Sequence, residues 1–194
     1  AGENLEIGST VTLQALLENP HIPAALKTAI KLEAPLNLRN TGTVAGALVA
    51  CDGRSPFAVV MLVLDAKVTM ASGPSSVVSL GDLLPLRSEQ LRGKLITSIS
   101  IPLNTKLAYE SVARTPADRP IVCAALAQWA SGRTRLVLGG WGASPSVAMD
   151  GSGTSGVEPA ARNAAHDASD EWASAEYRRE VAAVLAKRCS EAMM

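Results

Sequence analysis

The spacing of apolar residues predicts short strands and short helices in the first part of the chain. Residues 5–8 are a strand candidate, and Thr12 stands just before apolar positions at helical spacing. Its hydroxyl is therefore suited to cap a short helix that ends at Asn19. Pro23 fits the first position of a second helix, which Pro35 stops. The pattern opens with one strand followed by two helices.

A continuous apolar run at residues 57–64 comes next along the chain. The run is too short to be assigned from its periodicity, and we predict a helix followed by a turn and a strand over residues 67–70. Residues 72–76 are rich in Ser and Gly and predict a turn. Residues 81–91 combine a proline with mixed polarity, which is typical of a connector.

Alternating polarity predicts an antiparallel meander in the second of two domains, which we place at residues 1–90 and 91–194. In its first strand Thr97 falls on the same face as two isoleucines, and that face is predicted to be buried. The dipeptide Ser131-Gly132 suits a two-residue hairpin turn. The strands are predicted over residues 97–101, 106–113, 121–130 and 133–140.

Two helices are predicted at the end of the chain. Residues 143–159 are rich in Gly, Ser and Pro without apolar periodicity, which predicts an exposed loop. A helix over residues 158–168 follows, and Ser174 is suited to cap the last helix. Its core-facing stripe is predicted to consist of Tyr177, Val181, Val184 and Leu185. The whole pattern indicates an α+β fold.

Small residues and turn formers dominate residues 36–55, which contain the best candidate for a ligand loop. Small side chains let backbone N–H groups approach an anion closely, in this case a pyrophosphate. Asp52 is placed to accept hydrogen bonds from a ribose hydroxyl. A structural turn explains the pattern equally well, because the run matches neither G-x-G-x-x-G nor G-x-x-x-x-G-K-[ST]. The candidate loop consists of Thr43, Val44, Ala45, Gly46 and Ala47.

Charge and composition narrow the classes of function. The 194 residues carry 18 Lys and Arg and 18 Asp and Glu, so the net charge of zero argues against nucleic-acid partners. Aromatic residues make up only 3%, which leaves little for stacking against bases. No apolar run is long enough to span a bilayer, and membrane insertion is not expected.

The cysteines and histidines predict neither a disulfide framework nor a metal site. Cys51, Cys123 and Cys189 are widely separated, which favours a reducing, cytoplasmic setting. His21 and His166 stand alone, whereas metal sites need several convergent ligands. Any catalysis in which the chain takes part would therefore rely on a cofactor.

Several motifs together resemble one known family. Residues 39–48 (RNTGTVAGAL) resemble the run R-N-x-G-T-x-G-G-N-L in the FAD-binding subunits of molybdopterin-dependent dehydrogenases, the xanthine dehydrogenase and carbon monoxide dehydrogenase group. The other motifs agree in order and spacing from about residue 5 to the end. They lie at residues 7–13, 64–68, 95–102, 138–140 and 174–179.

The resemblance implies a fold and a role in electron transfer. Residues 1–90 would be the second part of a PCMH-type FAD-binding domain, and residues 91–194 a domain like the C-terminal domain of carbon monoxide dehydrogenase flavoproteins. In such enzymes a large subunit with the molybdopterin cofactor oxidises the substrate, and [2Fe-2S] clusters on a small subunit relay the electrons. The FAD subunit then passes the electrons to NAD, a quinone or another acceptor.

The resemblance also assigns residues to the cofactor. Residues 43–47 would lie against the FAD pyrophosphate, Val49 near the adenosine part, and Ile96 beside the isoalloxazine ring. No catalytic side chain is implied, because the flavin carries the chemistry and the protein orients it.

Departures from the family pattern leave two functions open. Ala45-Gly46-Ala47 stands where the family has Gly-Gly-Asn, and Asp52 remains of an A-D-P-x-x-D motif whose second Asp is replaced. The family's leading subdomain, with a G-G-x-[ST] phosphate loop, is not found after Ala1, and we expect flavin binding to depend on it. The chain is then either an FAD-binding oxidoreductase subunit or a degenerate member that serves as a structural or interaction module.

Overall fold

Two antiparallel sheets of four strands organise the chain in the computed structural model, which describes residues 4–71 and 75–193. The first sheet has the order β1-β4-β2-β3 and the second the order β5-β6-β7-β8. The strands are β1 (Asn4–Gly8), β2 (Lys67–Ala71), β3 (Ser76–Ser79), β4 (Leu95–Pro102), β5 (Thr105–Val112), β6 (Val122–Trp129), β7 (Arg133–Gly139) and β8 (Ser146–Ser152). The predicted α+β class is confirmed.

Helices fill the connections between strands of the first sheet, and two more follow the second sheet. They are α1 (Leu13–Glu18), α2 (Ala24–Glu33), α3 (Leu36–Thr41), α4 (Val44–Ala50), α5 (Pro56–Val63), α6 (Leu80–Leu83), α7 (Arg87–Gln90), α8 (Val157–Ala164) and α9 (Ala175–Glu191), with a 3₁₀ turn over Leu84–Leu86. Thr12 caps α1 as predicted, because its hydroxyl accepts a hydrogen bond from the Ala15 N–H. The predicted connector at 81–91 is built from short helical turns. Of the predicted turn at 72–76, residues 72–74 lie outside the described residues.

The apolar run becomes the central helix of the fold. Every residue of α5 is buried, as expected of a helix that is apolar on all sides. The helix packs against α2 and against β6 and β7 of the second sheet. Asp65 follows it with a φ of 55°, which turns the chain into β2.

The strand predicted to open the second sheet lies inside the first sheet. β4 pairs with β1 on one side and with β2 on the other, so its assignment to the meander was wrong. Thr69 faces Ser98 and Met70 faces Ile96, and the bulge between these pairs leaves Thr97 unpaired with β2. Ile99 and Ile101 are buried as predicted, but Thr97 is exposed and Ile96 is buried in its place. The domain boundary at residue 90 stays a prediction.

The second sheet is the predicted meander with one additional strand. β6 and β7 form the expected hairpin, but the connection contains residues 130–132 and Gly132 has a φ of 86°. A loop of this length ends in a left-handed residue, which glycine adopts at low cost. Residues 143–159 were predicted to be a loop, and this was wrong because they contain β8, an edge strand. An edge strand exposed along most of its length pairs through its backbone and shows no apolar alternation.

The last helix buries only part of the predicted stripe, since Leu185 is buried and Val181 packs against the core. Ser174 caps α9 as expected, and its hydroxyl accepts a hydrogen bond from the Tyr177 N–H. Tyr177 and Val184 are, however, 44% and 48% exposed. The buried face consists mainly of small residues around one arginine, and small side chains let a helix approach the sheet closely. It contains Arg178, Ala182, Ala183, Leu185, Ala186, Cys189 and Ser190.

Candidate functional site

A surface cavity of about 440 Å³ lies where three parts of the first half of the chain meet. These are the turn after β1, the helix α4, and the segment that leads into β4. The volume is in the range of small-molecule sites. The lining residues are Ser9, Thr10, Thr43, Ala45, Gly46, Val49, Leu91, Lys94, Leu95 and Ile96.

Most of the residues predicted to contact a cofactor converge on this cavity. They come from two distant parts of the sequence, α4 and β4. These parts meet because β4 pairs with β1 and the start of α4 is hydrogen-bonded to the residues that follow β1. The predicted residues that line the cavity are Thr43, Ala45, Gly46, Val49 and Ile96. Val44 is instead fully buried in the core, and Ala47 packs against it. The roles of these residues toward a cofactor stay predictions.

The predicted ligand loop is the start of the helix α4. Thr43 is its N-cap, and the Thr43 hydroxyl accepts a hydrogen bond from the Gly46 N–H at 3.1 Å. The Val44 N–H donates to the Val11 carbonyl at 2.8 Å, and the Ala45 N–H donates to the Ser9 carbonyl at 3.4 Å. The N–H groups of Val44, Ala45 and Gly46, which were expected to face a pyrophosphate, therefore already have partners within the protein.

Asp52 is held away from the cavity lining by arginines. Its carboxylate accepts two hydrogen bonds from the Arg119 guanidinium, and it also accepts one from the Arg54 N–H at 2.8 Å. Burial raises the pKa of Asp52, but the hydrogen bonds from Arg119 and from the Arg54 amide outweigh burial and hold this pKa below its ordinary value. Asp52 thus anchors the segment before α5, and its predicted contact with a ribose stays a prediction.

The walls of the cavity are apolar, and some of this apolar surface faces solvent. Ile96 is 6% exposed and forms an inner wall, whereas Val49 and Leu95 are 46% and 67% exposed. Exposed branched aliphatic side chains beside a concave surface are typical of a site that an apolar ligand covers.

Polar groups at the same cavity were not found from the sequence. Ser9 and Thr10 supply hydroxyl groups at the end of β1, and Lys94 is the only charged residue of the lining. The sequence offers one indication for Lys94, which is that it stands two residues before Ile96. Nothing in the sequence indicates that residues 9 and 10 lie beside residue 96.

The lining fits part of a flavin dinucleotide. Apolar side chains suit a flat aromatic ring system, hydroxyl groups offer hydrogen bonds, and one cation suits a phosphate group. The segment predicted to bind the pyrophosphate fits less well, because its first N–H groups are already hydrogen-bonded.

The cysteines are buried and unpaired, away from this cavity. Burial raises the pKa of Cys51 to about 11 and the pKa values of Cys123 and Cys189 to about 12. These thiols are therefore protonated at neutral pH and are not activated nucleophiles. Within residues 4–71 and 75–193, no cluster of His, Cys, Asp and Glu is arranged to hold a metal ion. None of the helices in these ranges has the length and apolarity needed to cross a membrane.

Comparison with known protein families gives one clear match. Residues 1–104 match the family described as the FAD binding domain in molybdopterin dehydrogenase. The matched range contains every residue that lines the cavity.

Individual relatives cover most of the chain. The uncharacterized protein YgfM of Escherichia coli (strain K12) is 29% identical over 185 residues, which are 93% of this chain and 70% of YgfM. The glyceraldehyde dehydrogenase medium chain of Sulfolobus acidocaldarius is 28% identical over 158 residues, which are 75% of this chain and 56% of that one.

Among solved structures, a carbon monoxide dehydrogenase from Hydrogenophaga pseudoflava that lacks the Mo-pyranopterin moiety of its cofactor has the same fold. The match has a TM-score of 0.82 at 21% identity and covers 100% of this chain and 76% of the other.

Proposed function

Because the chain belongs to the family of FAD-binding domains in molybdopterin dehydrogenases, we propose that it is the FAD-binding electron-transfer subunit of such an enzyme, or part of that subunit. Its task would be to hold FAD in the cavity between α4 and β4. Bound FAD would accept electrons from iron–sulfur clusters and pass them to NAD, a quinone or another acceptor.

One observation carries this proposal. Five residues assigned to the cofactor from separate motifs line the same cavity with an apolar wall, namely Thr43, Ala45, Gly46, Val49 and Ile96. A structural turn alone would explain the small residues at 42–47. It would not explain why Val49 and Leu95, from different elements, leave apolar surface exposed at one concave site.

The chain's own residues would bind and orient the flavin without taking part in bond making. Ile96 would offer a rigid apolar surface, since it is buried in a central strand of the sheet. Val49 and Leu95 would cover the faces of a ring and exclude water from it. The Ser9 and Thr10 hydroxyls would supply hydrogen bonds at the edge of the cavity.

The proposal implies partners. A large subunit with the molybdenum cofactor and a small subunit with [2Fe-2S] clusters would complete the electron-transfer chain. The relative from Sulfolobus acidocaldarius is named as a medium chain of a dehydrogenase, which supports an assembly of this kind. The neutral charge gives no support to nucleic-acid partners, and we propose a cytoplasmic location on the basis of the unpaired cysteines.

A second function is favoured by the hydrogen bonding at α4. The N–H groups of Val44, Ala45 and Gly46 are satisfied within the protein, so they offer a phosphate no free donors. A family member that has lost its flavin and serves as a structural or interaction module would retain the same fold with this arrangement.

Titration of the purified full-length protein with FAD, with any encoded segment before Ala1 included, distinguishes the two functions. We expect saturable binding, followed by flavin absorbance and fluorescence. The Val49→Glu variant should bind FAD at least about tenfold more weakly, because it places a carboxylate in the apolar wall of the cavity. Val77→Glu is the matched control, since Val77 is exposed on β3 and does not line the cavity. Absence of saturable binding by the unmodified chain would favour the structural module.

A further inference from the structure

We infer that Lys94 is the residue that recognises the phosphate groups of a dinucleotide bound in the cavity. This inference rests on the proposed function. It assigns the anionic part of the ligand to a side chain that no sequence motif indicated. It also removes that task from the N–H groups of Val44, Ala45 and Gly46.

The need for such a side chain follows from the start of α4. A pyrophosphate carries two negative charges, and burying part of this charge requires hydrogen-bond donors or cations. The Val44 and Ala45 N–H groups donate to the carbonyls of Val11 and Ser9, and the Gly46 N–H donates to the Thr43 hydroxyl. Since α4 is also a short helix, its first turn offers little to an anion.

Lys94 is placed at the cavity by the turn before β4. Gly93 has a φ of 69°, a conformation that glycine adopts without strain, and the Lys94 N–H donates to the Leu91 carbonyl at 3.0 Å. The turn presents Lys94 at the cavity beside Leu95 and Ile96. Its side chain forms no ion pair and no hydrogen bond with any residue in 4–71 or 75–193, so its ammonium group is available to a ligand.

Two arginines that precede α4 and β4 in the sequence are hydrogen-bonded to other partners. Arg39 belongs to the same motif as α4, but its guanidinium donates to the Gln14 side chain at 3.0 Å and to the Ala34 carbonyl at 2.7 Å. Arg87 follows the 3₁₀ turn, and it donates to the carbonyls of Leu84, Cys51 and Ala143. Neither arginine lines the cavity. Of the described residues that line the cavity, Lys94 is the one with a positive charge, and the phosphate groups are assigned to it for this reason.

The test compares FAD with riboflavin, which has the same ring system but no phosphate. Both ligands are titrated into the unmodified chain and into Lys94→Met and Lys94→Arg variants. Lys94→Met should weaken FAD binding about five- to tenfold and leave riboflavin binding unchanged, and Lys94→Arg should restore most of the affinity for FAD. Added salt should weaken FAD binding by the unmodified chain more than by Lys94→Met.

The controls separate this inference from the proposed function. Lys31→Met removes an exposed lysine on α2 and should leave the affinity for FAD unchanged. Equal affinity of the unmodified chain and of Lys94→Met for FAD would overturn the role of Lys94 while leaving the flavin site intact. Absence of FAD binding by the unmodified chain would overturn both.

Discussion

Arg178 is the one fully buried charged side chain in the described ranges, and it joins three distant parts of the chain. Its guanidinium donates to the carbonyls of Ile121, Ala168 and Gly140, and to both carboxylate oxygens of Asp170 at 2.8 Å. Burial raises the pKa of Asp170. The hydrogen bonds from Arg178 and from two backbone N–H groups outweigh burial and hold this pKa below its ordinary value. The carboxylate therefore stays charged opposite the arginine at neutral pH.

Replacing Arg178 with Met should destabilise the fold by about 3 kcal/mol or more, because carbonyls and a carboxylate lose their donor inside the protein. The matched control is Arg179→Met, since the neighbouring arginine is exposed, and its effect should stay within about 0.5 kcal/mol. Chemical denaturation gives both free energies of unfolding. Equal stability of the two variants would contradict the account of Arg178.

The sequence predicted the helix cap in this region but not the buried charge. Ser174 precedes a helical pattern, and capping is a local interaction that depends on neighbouring residues. Which of the two consecutive arginines faces inward depends on carbonyls more than 35 residues away in sequence. The larger apolar residues Tyr177 and Val184 therefore suggested the wrong face.

At the scale of elements, a close backbone contact joins the segment before α5 to the end of β7. The Gly53 N–H donates to the Gly142 carbonyl at 2.9 Å, and the Gly140 N–H donates to the Gly53 carbonyl at 2.6 Å. A Cβ atom at Gly53 would lie 1.6 Å from the Trp141 carbonyl oxygen. The approach of these two segments therefore requires glycine at position 53.

Gly53→Ala should destabilise the protein by more than about 2 kcal/mol, because one of the two backbone segments has to move. Gly151→Ala is the control, since a Cβ atom on this residue of β8 would meet no other atom within 4 Å. Its effect should lie within about 0.5 kcal/mol. Thermal unfolding compares the two variants, and a mild effect at Gly53 would show that the contact is not tightly constrained.

Elements with buried apolar residues were predicted, and elements that depend on distant pairing were not. The helix α5 and the strands β5 to β7 have apolar residues in a local pattern. β8 is exposed and polar, and it forms because its backbone pairs with β7. α4 has small residues that are also typical of a loop, and its helix depends on the Thr43 cap and on contacts with residues 9–11.

At the scale of the molecule, a charge cluster links the two sheets. Asp65, in the turn before β2, accepts hydrogen bonds from Arg133 at 3.1 Å and lies 2.7 Å from Arg135, both on β7. Burial raises the pKa of Asp65, but the hydrogen bonds from Arg135 and Arg133 hold it below its ordinary value. Arg133 also lowers the pKa of Asp150 on β8 through a hydrogen bond.

Asp65→Asn should cost about 1–3 kcal/mol at pH 7, because it removes the charge while Asn tolerates the positive φ at this position. A carboxyl group with a lowered pKa stabilises the folded state above its unfolded pKa, and this stabilisation is lost as the pH falls through the folded pKa. The difference between the unmodified chain and Asp65→Asn should therefore shrink below about pH 4.

The control for this comparison is Asp118→Asn, which removes a partly exposed partner of the exposed Arg114 and should have an effect below about 0.5 kcal/mol. Unfolding curves recorded from pH 7 to pH 3 give the pH dependence of each difference. A difference for Asp65→Asn that stays constant over this range would rule out an ionic role for Asp65.

Part of the candidate site could be predicted, because local motifs can be recognised in a sequence whereas the pairing of distant strands cannot. Thr43, Ala45, Gly46, Val49 and Ile96 were found through motifs that each span a few residues. Ser9, Thr10 and Lys94 were not found, because they reach the cavity only when β1 pairs with β4. Sequence motifs thus identified the apolar part of the site, and the fold supplied its polar and charged part.

Hydrogen–deuterium exchange of the chain with and without saturating FAD tests the location of the flavin site most directly. We predict increased protection of segments 43–49 and 91–96, with exchange unchanged in the second sheet. Protection confined to other segments, or no change on addition of FAD, would contradict the assignment of this cavity to the flavin.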